Sequence, residues 1–183
     1  IMKILRSAVI MHDLDPQKIY VAGLSAGAAM AGVLAASYPD QFAAVAMHSC
    51  PVLGRAHDTL TAVNVMQDSH LDSDQALASY IAPLNPHEKH LIPTLIIQGQ
   101  RDTVVNQRNA DELVKQFLYI NNLPMEYLQT IWRAGSKRIL ELIKVRHLNH
   151  AWAGGDAHLP FNSTHGPNSS QLIWEFFKRH MPK

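Results

Sequence analysis

The short apolar run Ile19-Tyr20-Val21-Ala22 ends in Gly23-Leu24-Ser25-Ala26-Gly27 and passes straight into a stretch, Ala26 to Ser37, that is apolar or small on every side. A short apolar run closed by glycine reads as a buried strand, and a helix pattern with no polar face reads as a buried helix. Strand, tight turn and helix must therefore follow one another inside a core. Glycines two before and two after Ser25 are expected to remove side chains that would clash in so tight a turn. Such a turn lifts the serine hydroxyl out of the sheet, and the helix N-terminus beneath it offers free N–H groups and positive potential. The spacing is G-x-S-x-G, the nucleophile elbow, in the strand–helix context that gives the motif meaning. The alternative, a plain Gly/Ser turn, leaves that context unexplained.

The rest of the chain repeats the alternation. Ile1, Ile4, Leu5, Ala8, Val9 and His12 lie at helical spacing, and Asp13-Leu14-Asp15-Pro16 marks a turn. Phe42 to Cys50 and Pro93 to Gly99 read as buried strands, and Ile139 to His147 as a fourth. Ala110, Leu113, Val114, Phe117 and Leu118 mark an amphipathic helix. Asn168 offers N-cap chemistry to a last helix with Leu172, Ile173, Phe176 and Phe177 on its apolar face. Strands alternating with helices predict an α/β fold, a mostly parallel sheet flanked by helices. At 183 residues the chain is read as a single domain. Residues 51–92, with three prolines and four histidines (His57, His70, His87 and His90), read as an insertion with short helices, for example around Asp74 to Ile81, and as a lid or binding wall.

Charge and cysteine content exclude other classes. Sixteen Lys+Arg against fifteen Asp+Glu leave a net charge of +1, which argues against nucleic acid or an anionic membrane as partner. The apolar runs fall short of the roughly 18 residues that a membrane span needs. One cysteine, Cys50, excludes an internal disulfide and a multi-Cys zinc site, and reads as a buried small hydrophobe. His87/His90 and His147/His150 are i, i+3 pairs without a third ligand, so no metal or other cofactor is expected. Arg133, Lys137 and Arg138 read as a solvated loop. Oligomeric state stays open.

A serine nucleophile needs a base, and the base an orienting carboxylate. Asp102 follows the third strand, where the sites of parallel sheets collect. Its competing reading is a solvated loop residue or helix cap. The base is expected after the fourth strand, among His147, His150, His158 and His165. His150 is favoured because Asn149-His150-Ala151-Trp152-Ala153-Gly154-Gly155 is a loop of small residues able to approach the nucleophile, whereas His147 falls within the strand pattern. Trp152 and Trp132 read equally as substrate-stacking, core or rim residues.

Gly23 to Met30 with Tyr38-Pro39-Asp40-Gln41-Phe42-Ala43-Ala44, Asp15-Pro16, His150 to Gly155 and Trp174-Glu175-Phe176-Phe177 together resemble the polyhydroxybutyrate depolymerase-like serine esterases, which are related to feruloyl and acetylxylan esterases. The likeness spans the chain apart from 51–92 and about 125–138. It implies an α/β-hydrolase, of which this chain would be the C-terminal part with N-terminal strands missing. It also implies a Ser25-Asp102-His150 triad, an Ala26 N–H in the oxyanion hole, and a small-molecule or polymeric ester, such as a polyhydroxyalkanoate or a plant cell-wall ester, as substrate. No signal segment is read in these residues, and the resemblance implies an extracellular or exported enzyme. The family's early His-Gly loop, which donates a second oxyanion N–H, is not in this sequence, and Gly27 is followed by Ala28 where the family has glycine. Two alternatives therefore accompany the esterase reading: a non-catalytic remnant or binding domain, and a prolyl oligopeptidase-like serine peptidase.

Overall fold

The computed structural model describes residues 1–68, 72–85, 91–124 and 130–182. The elements are α1 (Met2–Met11), β1 (Tyr20–Leu24), α2 (Ala26–Ser37), β2 (Ala44–His48), α3 (Thr59–Gln67), α4 (Asp74–Ile81), β3 (Thr94–Gly99), α5 (Arg108–Ile120), β4 (Ile131–Ala134), β5 (Lys137–Val145), β6 (Trp152–Ala153), β7 (Asn162–Ser163) and α6 (Ser169–Lys178). The main sheet runs β1-β2-β3-β5-β4; β1, β2, β3 and β5 are parallel and β4 is antiparallel to β5. The α/β architecture predicted from the alternation of elements is the one observed.

β2 and β3 are buried along their whole length because both faces are covered. Val45, Met47 and Ile96 face one side, with Ala28, Ala31 and Ala35 of α2 and Leu113 and Phe117 of α5. Ala44, Ala46, Leu95 and Ile97 face the other, with Ile173, Phe176 and Phe177 of α6. The small residues of α2 bring it close to the sheet: a Cβ on Gly32 would stand 2.7 Å from Met47 Sδ. Asn168 caps α6 as expected, its Oδ1 accepting the Gln171 N–H at 3.0 Å.

Several expectations are corrected. Helix α2 is not buried all round: Ala28, Ala31, Gly32, Ala35 and Ala36 are covered, while Met30 is 50% exposed. The reason is that β1 is the edge of the sheet, so nothing beyond it covers the outer side of α2 among the described residues. The stretch read as a solvated loop is a hairpin. Arg133 lies on β4, and Lys137 and Arg138 open β5, around a turn whose Gly135 takes φ +60°. Their side chains still face solvent, which hid β4 and the start of β5. β5 correspondingly ends at Val145, and His147 sits beyond it, exposed, in a left-handed turn at φ +64°. Trp132 is a core residue, 3% exposed. Cys50 is buried, and burial pushes its thiol pKa far up.

The inserted segment is tied to α5 rather than hanging free. Asn109, Glu112 and Gln116 share one face of that helix. Asn109 Oδ1 accepts the Val52 N–H at 3.0 Å, Glu112 Oε1 accepts the Asp72 N–H at 2.7 Å, and Gln116 Oε1 accepts the Leu53 N–H at 3.1 Å. Arg55 pairs with Asp68 at 2.7 Å and Asp72 at 3.3 Å. His70, His87 and His90 lie outside the described residues. Among those described, no group of three or more His, Cys, Asp or Glu is arranged to hold a metal ion, and no helix is long and apolar enough to cross a membrane.

The two sheet edges differ. The β4 edge carries Arg133 with Lys137 and Arg138 beside it, a charged edge of the kind that resists pairing. The β1 edge, Tyr-Val-Ala-Gly-Leu, has no charge, and α1 nearby in sequence leaves Ile4, Ile10 and Met11 75%, 82% and 74% exposed. Concentration-dependent self-association is the expected outcome, and Ala22→Lys, placing a charge on β1, should reduce it. Sedimentation velocity over a concentration series checks this, and a monomer at every concentration would refute it.

Two histidines are held uncharged by burial. His48 closes β2 with no exposed surface, and His180 packs on Phe176 with ring centroids 4.7 Å apart. Burial lowers both to about 4; the charges of Arg179 and Lys137 push His180 the same way. Unfolded imidazoles take up protons near 6.5, the native ones only near 4. Between those values the unfolded state binds more protons, so stability falls as pH falls. Thermal melts from pH 7 to pH 4.5 should show a declining midpoint, with a shallower decline for His180→Phe.

Candidate active site

Ser25 joins β1 to α2 at φ 57° and ψ −123°, a conformation that costs a non-glycine residue of order 1–3 kcal/mol. Three local features hold it there. Its N–H donates to the His48 carbonyl at 2.9 Å, extending the β1–β2 ladder one residue past the strand. Its carbonyl accepts the Ala29 N–H at 3.0 Å, the first bond of α2. Gly23 lies so near the Gly27 carbonyl that a side chain there would collide with it. Gly27 departs from expectation: a Cβ there would meet nothing, because it faces away from the sheet on the open side of α2. The N–H groups of Ala26, Gly27 and Ala28 precede that first bond and have no intrahelical acceptor, so the first turn presents donors beside the serine.

Asp102 follows β3 and its side chain is fully buried. Oδ1 accepts the N–H groups of Val104 at 3.0 Å and Val105 at 2.8 Å. Oδ2 meets His150 Nδ1 at 2.9 Å and Gln98 Nε2 at 3.3 Å. A carboxylate so supplied accepts on both oxygens, so the proton of the shared bond belongs to His150 Nδ1, and Nε2 is left to act as acceptor. The loops carrying the pair are laced together. Gln100 N–H donates to the Val145 carbonyl and Arg101 N–H to the Leu148 carbonyl, both at 3.0 Å. Gly99 passes directly under the Leu148 carbonyl, where a Cβ would not fit.

Of the four histidines considered as base, only His150 meets a buried carboxylate; its side chain is 8% exposed. His158 is almost wholly exposed and bonded to Asp156 in its own loop, and His147 and His165 are exposed as well. The structure thus brings Asp102 and His150 together. Ser25 stands at the carboxyl end of β1 in the same sheet, and its Oγ makes no hydrogen bond among the described residues. Phe161 meets the His150 ring edge-on at 6.2 Å and is itself 67% exposed. Trp152 is half-buried. Its indole N–H donates to Ser170 Oγ at 3.1 Å, its backbone N–H donates to the Phe161 carbonyl at 2.8 Å, and its ring stacks on His48.

His48 and Gln98 escape sequence reasoning. Each is a polar residue at the carboxyl end of an otherwise apolar, buried strand, and that position was the available signal. Gln98 binds Asp102 and also donates to the carbonyls of Gly99 at 3.2 Å and Val105 at 3.1 Å. A cavity of about 750 Å³ lies elsewhere, at the amino ends of the strands, lined by residues such as Pro16, Asp40, Pro93 and Arg179. It contains none of the triad candidates.

Comparison with known proteins adds to this geometry. Over 115 residues the chain is 34% identical to poly(3-hydroxyalkanoate) depolymerase C of Paucimonas lemoignei, covering 58% of this chain and 26% of that protein. Over 119 residues it is 26% identical to an acetylxylan esterase of Coprinopsis cinerea, covering 61% of this chain and 31% of that one. The chain thus spans about a quarter to a third of the length of these relatives. Among solved structures, the acetyl xylan esterase from Aspergillus awamori shares the fold with a TM-score of 0.73 at 19% identity, over 94% of this chain and 63% of that one. A family profile described as esterase PHB depolymerase matches residues 1–140, more than half of the chain, and the chain therefore belongs to that family of ester hydrolases.

Proposed function

We propose that this chain carries the catalytic triad of a serine-dependent carboxylic ester hydrolase working through an acyl-enzyme. The observation that carries this reading is the buried Asp102–His150 bond of 2.9 Å at the same end of the sheet as a serine held on a strained elbow. Ser25 Oγ attacks the ester carbonyl carbon while His150 Nε2 takes its proton. Asp102 keeps the imidazole in the Nδ1–H tautomer and stabilises the imidazolium that forms. The oxyanion is received by the Ala26 N–H at the start of α2. His150 then returns the proton to the leaving alcohol, and the ester to Ser25 Oγ remains. Water, activated by the same base, releases the acid.

The substrate class follows the relatives: a hydroxyalkanoate polyester or an acetylated plant cell-wall polysaccharide, acted on outside the cell. The half-buried Trp152, two residues after the base, and the exposed Phe161, which meets its ring edge-on at 6.2 Å, offer aromatic surface to such a substrate.

Ser25→Ala should lower kcat on a short-chain nitrophenyl ester by about 10⁴ or more, and Asp102→Asn, which favours the wrong tautomer, by about 10⁴. Undiminished turnover by Ser25→Ala would remove the nucleophile assignment. A second test uses His150→Ala combined with Ser25→Ala: residues acting as one unit are not additive, so the double variant should be little worse than the single.

A further inference from the structure

His48 has no part in the triad, yet three separate contacts tie it to the residues around the triad. Its carbonyl oxygen accepts the Ser25 N–H at 2.9 Å. Its ring stacks on Trp152, with centroids 5.3 Å apart and planes 24° from parallel. Its Nδ1 lies 3.2 Å from Ser49 Oγ. The residue has no exposed surface, and its Nε2 is buried with no partner among the described residues. A fully buried imidazole with an unmatched nitrogen costs stability, and an apolar residue would fill the end of β2 more cheaply. Its presence calls for a role that an aliphatic side chain does not supply.

The geometry supplies one. Trp152 lies two residues after His150 and is fixed at three points: its backbone N–H on the Phe161 carbonyl, its indole N–H on Ser170, and its ring face on His48. Of these, the His48 stack is the contact that ties the His150 loop to the strand neighbouring Ser25. Through its carbonyl the same residue holds the backbone of Ser25 itself. We propose that His48 is a positioning residue: its ring sets the plane of Trp152 and so the loop bearing His150, while its backbone anchors Ser25, so that nucleophile and base are located from one strand end. This rests on the hydrolase reading above. Burial keeps the ring uncharged at neutral pH, so the support is given without a second positive charge beside the imidazolium that His150 becomes.

The test compares His48→Ala, which removes the ring, with His48→Phe, which keeps a planar ring and removes both nitrogens. With the ring gone, kcat should fall about 10- to 100-fold, the scale of a misplaced catalytic group, while KM changes little. His48→Phe should recover most of that loss. Proton NMR of the same proteins reads the geometry without turnover: the hydrogen-bonded Nδ1 proton of His150 should be present in the parent chain and in His48→Phe, and broadened or lost in His48→Ala. Should His48→Ala not fold, Trp152→Leu takes the other ring from the stack and should produce the same loss. An unchanged His150 signal and kcat in the ring-less variant would overturn the proposal, as would equal damage from Phe and Ala. A parent chain that hydrolyses no ester but shows the expected NMR pattern would overturn the hydrolase reading and leave the positioning role standing.

Discussion

The register of β3 against β5 is the constraint on which the candidate site depends. Gly99 pairs with Val145, and beyond that pair the two chains continue to bond, Gln100 to Val145 and Arg101 to Leu148. Asp102 and His150 meet because both loops leave the sheet from this shared point. A slip of one residue would turn every side chain of β5 to the opposite face and carry the His150 loop away from Asp102. Such a slip is opposed by the core itself. Leu140 and Leu142 belong to the side of α5, and Ile143 and Val145 to the side of α6, and each would be displaced. Hydrophobic patterning deep in the sheet thus fixes a polar contact at its rim.

That polar contact is costly to bury. An isolated carboxylate taken out of water is strongly destabilised, and partners must offset the loss. Asp102 has four: two backbone N–H groups, the Gln98 amide and His150. The Val104 and Val105 N–H groups hold Oδ1 independently of what happens at Oδ2, so the carboxylate stays aimed at the His150 ring. Gln98 is in turn steered by the Gly99 and Val105 carbonyls. The layer behind Asp102 is therefore backbone geometry, which the turn after β3 provides once it has folded.

Much of this was legible in the sequence, and the reasons are physical. β2 and β3 are covered on both faces, so they read as continuous apolar runs, and α2 and α5 declared themselves by small residues and by period. Asp102 and His150, which the structure places 2.9 Å apart, were singled out with Ser25 because their proposed chemistry demands a position relative to strands that were themselves visible. β5 was legible from Ile139 on, but β4 and the first two residues of β5 were hidden because Arg133, Lys137 and Arg138 face water, and a strand with one charged face resembles a loop. The open side of α2 was hidden for a different reason. Composition reports what a helix could bury, whereas edge position in a sheet decides what covers it. His48 and Gln98 have meaning only through residues far away in sequence, Trp152 and Asp102, and no local pattern announces such a pairing.

Backbone strain is distributed in the same sense. Among the described residues six non-glycine residues have positive φ; Ser25 and Ser49 directly follow the carboxyl ends of β1 and β2, His147 lies two residues past the end of β5, and Phe161 meets the His150 ring edge-on. Each such conformation costs of order 1–3 kcal/mol, and it persists only where surrounding structure over-determines it. Ser25 and Ser49 are held by ladder bonds from the neighbouring strand, to His48 and Ile97, at 2.9 Å each. The parallel sheet therefore does more than display side chains at one end. Its hydrogen-bond ladder, extended one residue beyond each strand, stabilises backbone conformations that the local sequence would not adopt. An elbow at Ser25 is possible because β2 lies beside it, and the apolar core that holds β2 in place is what sustains the strain.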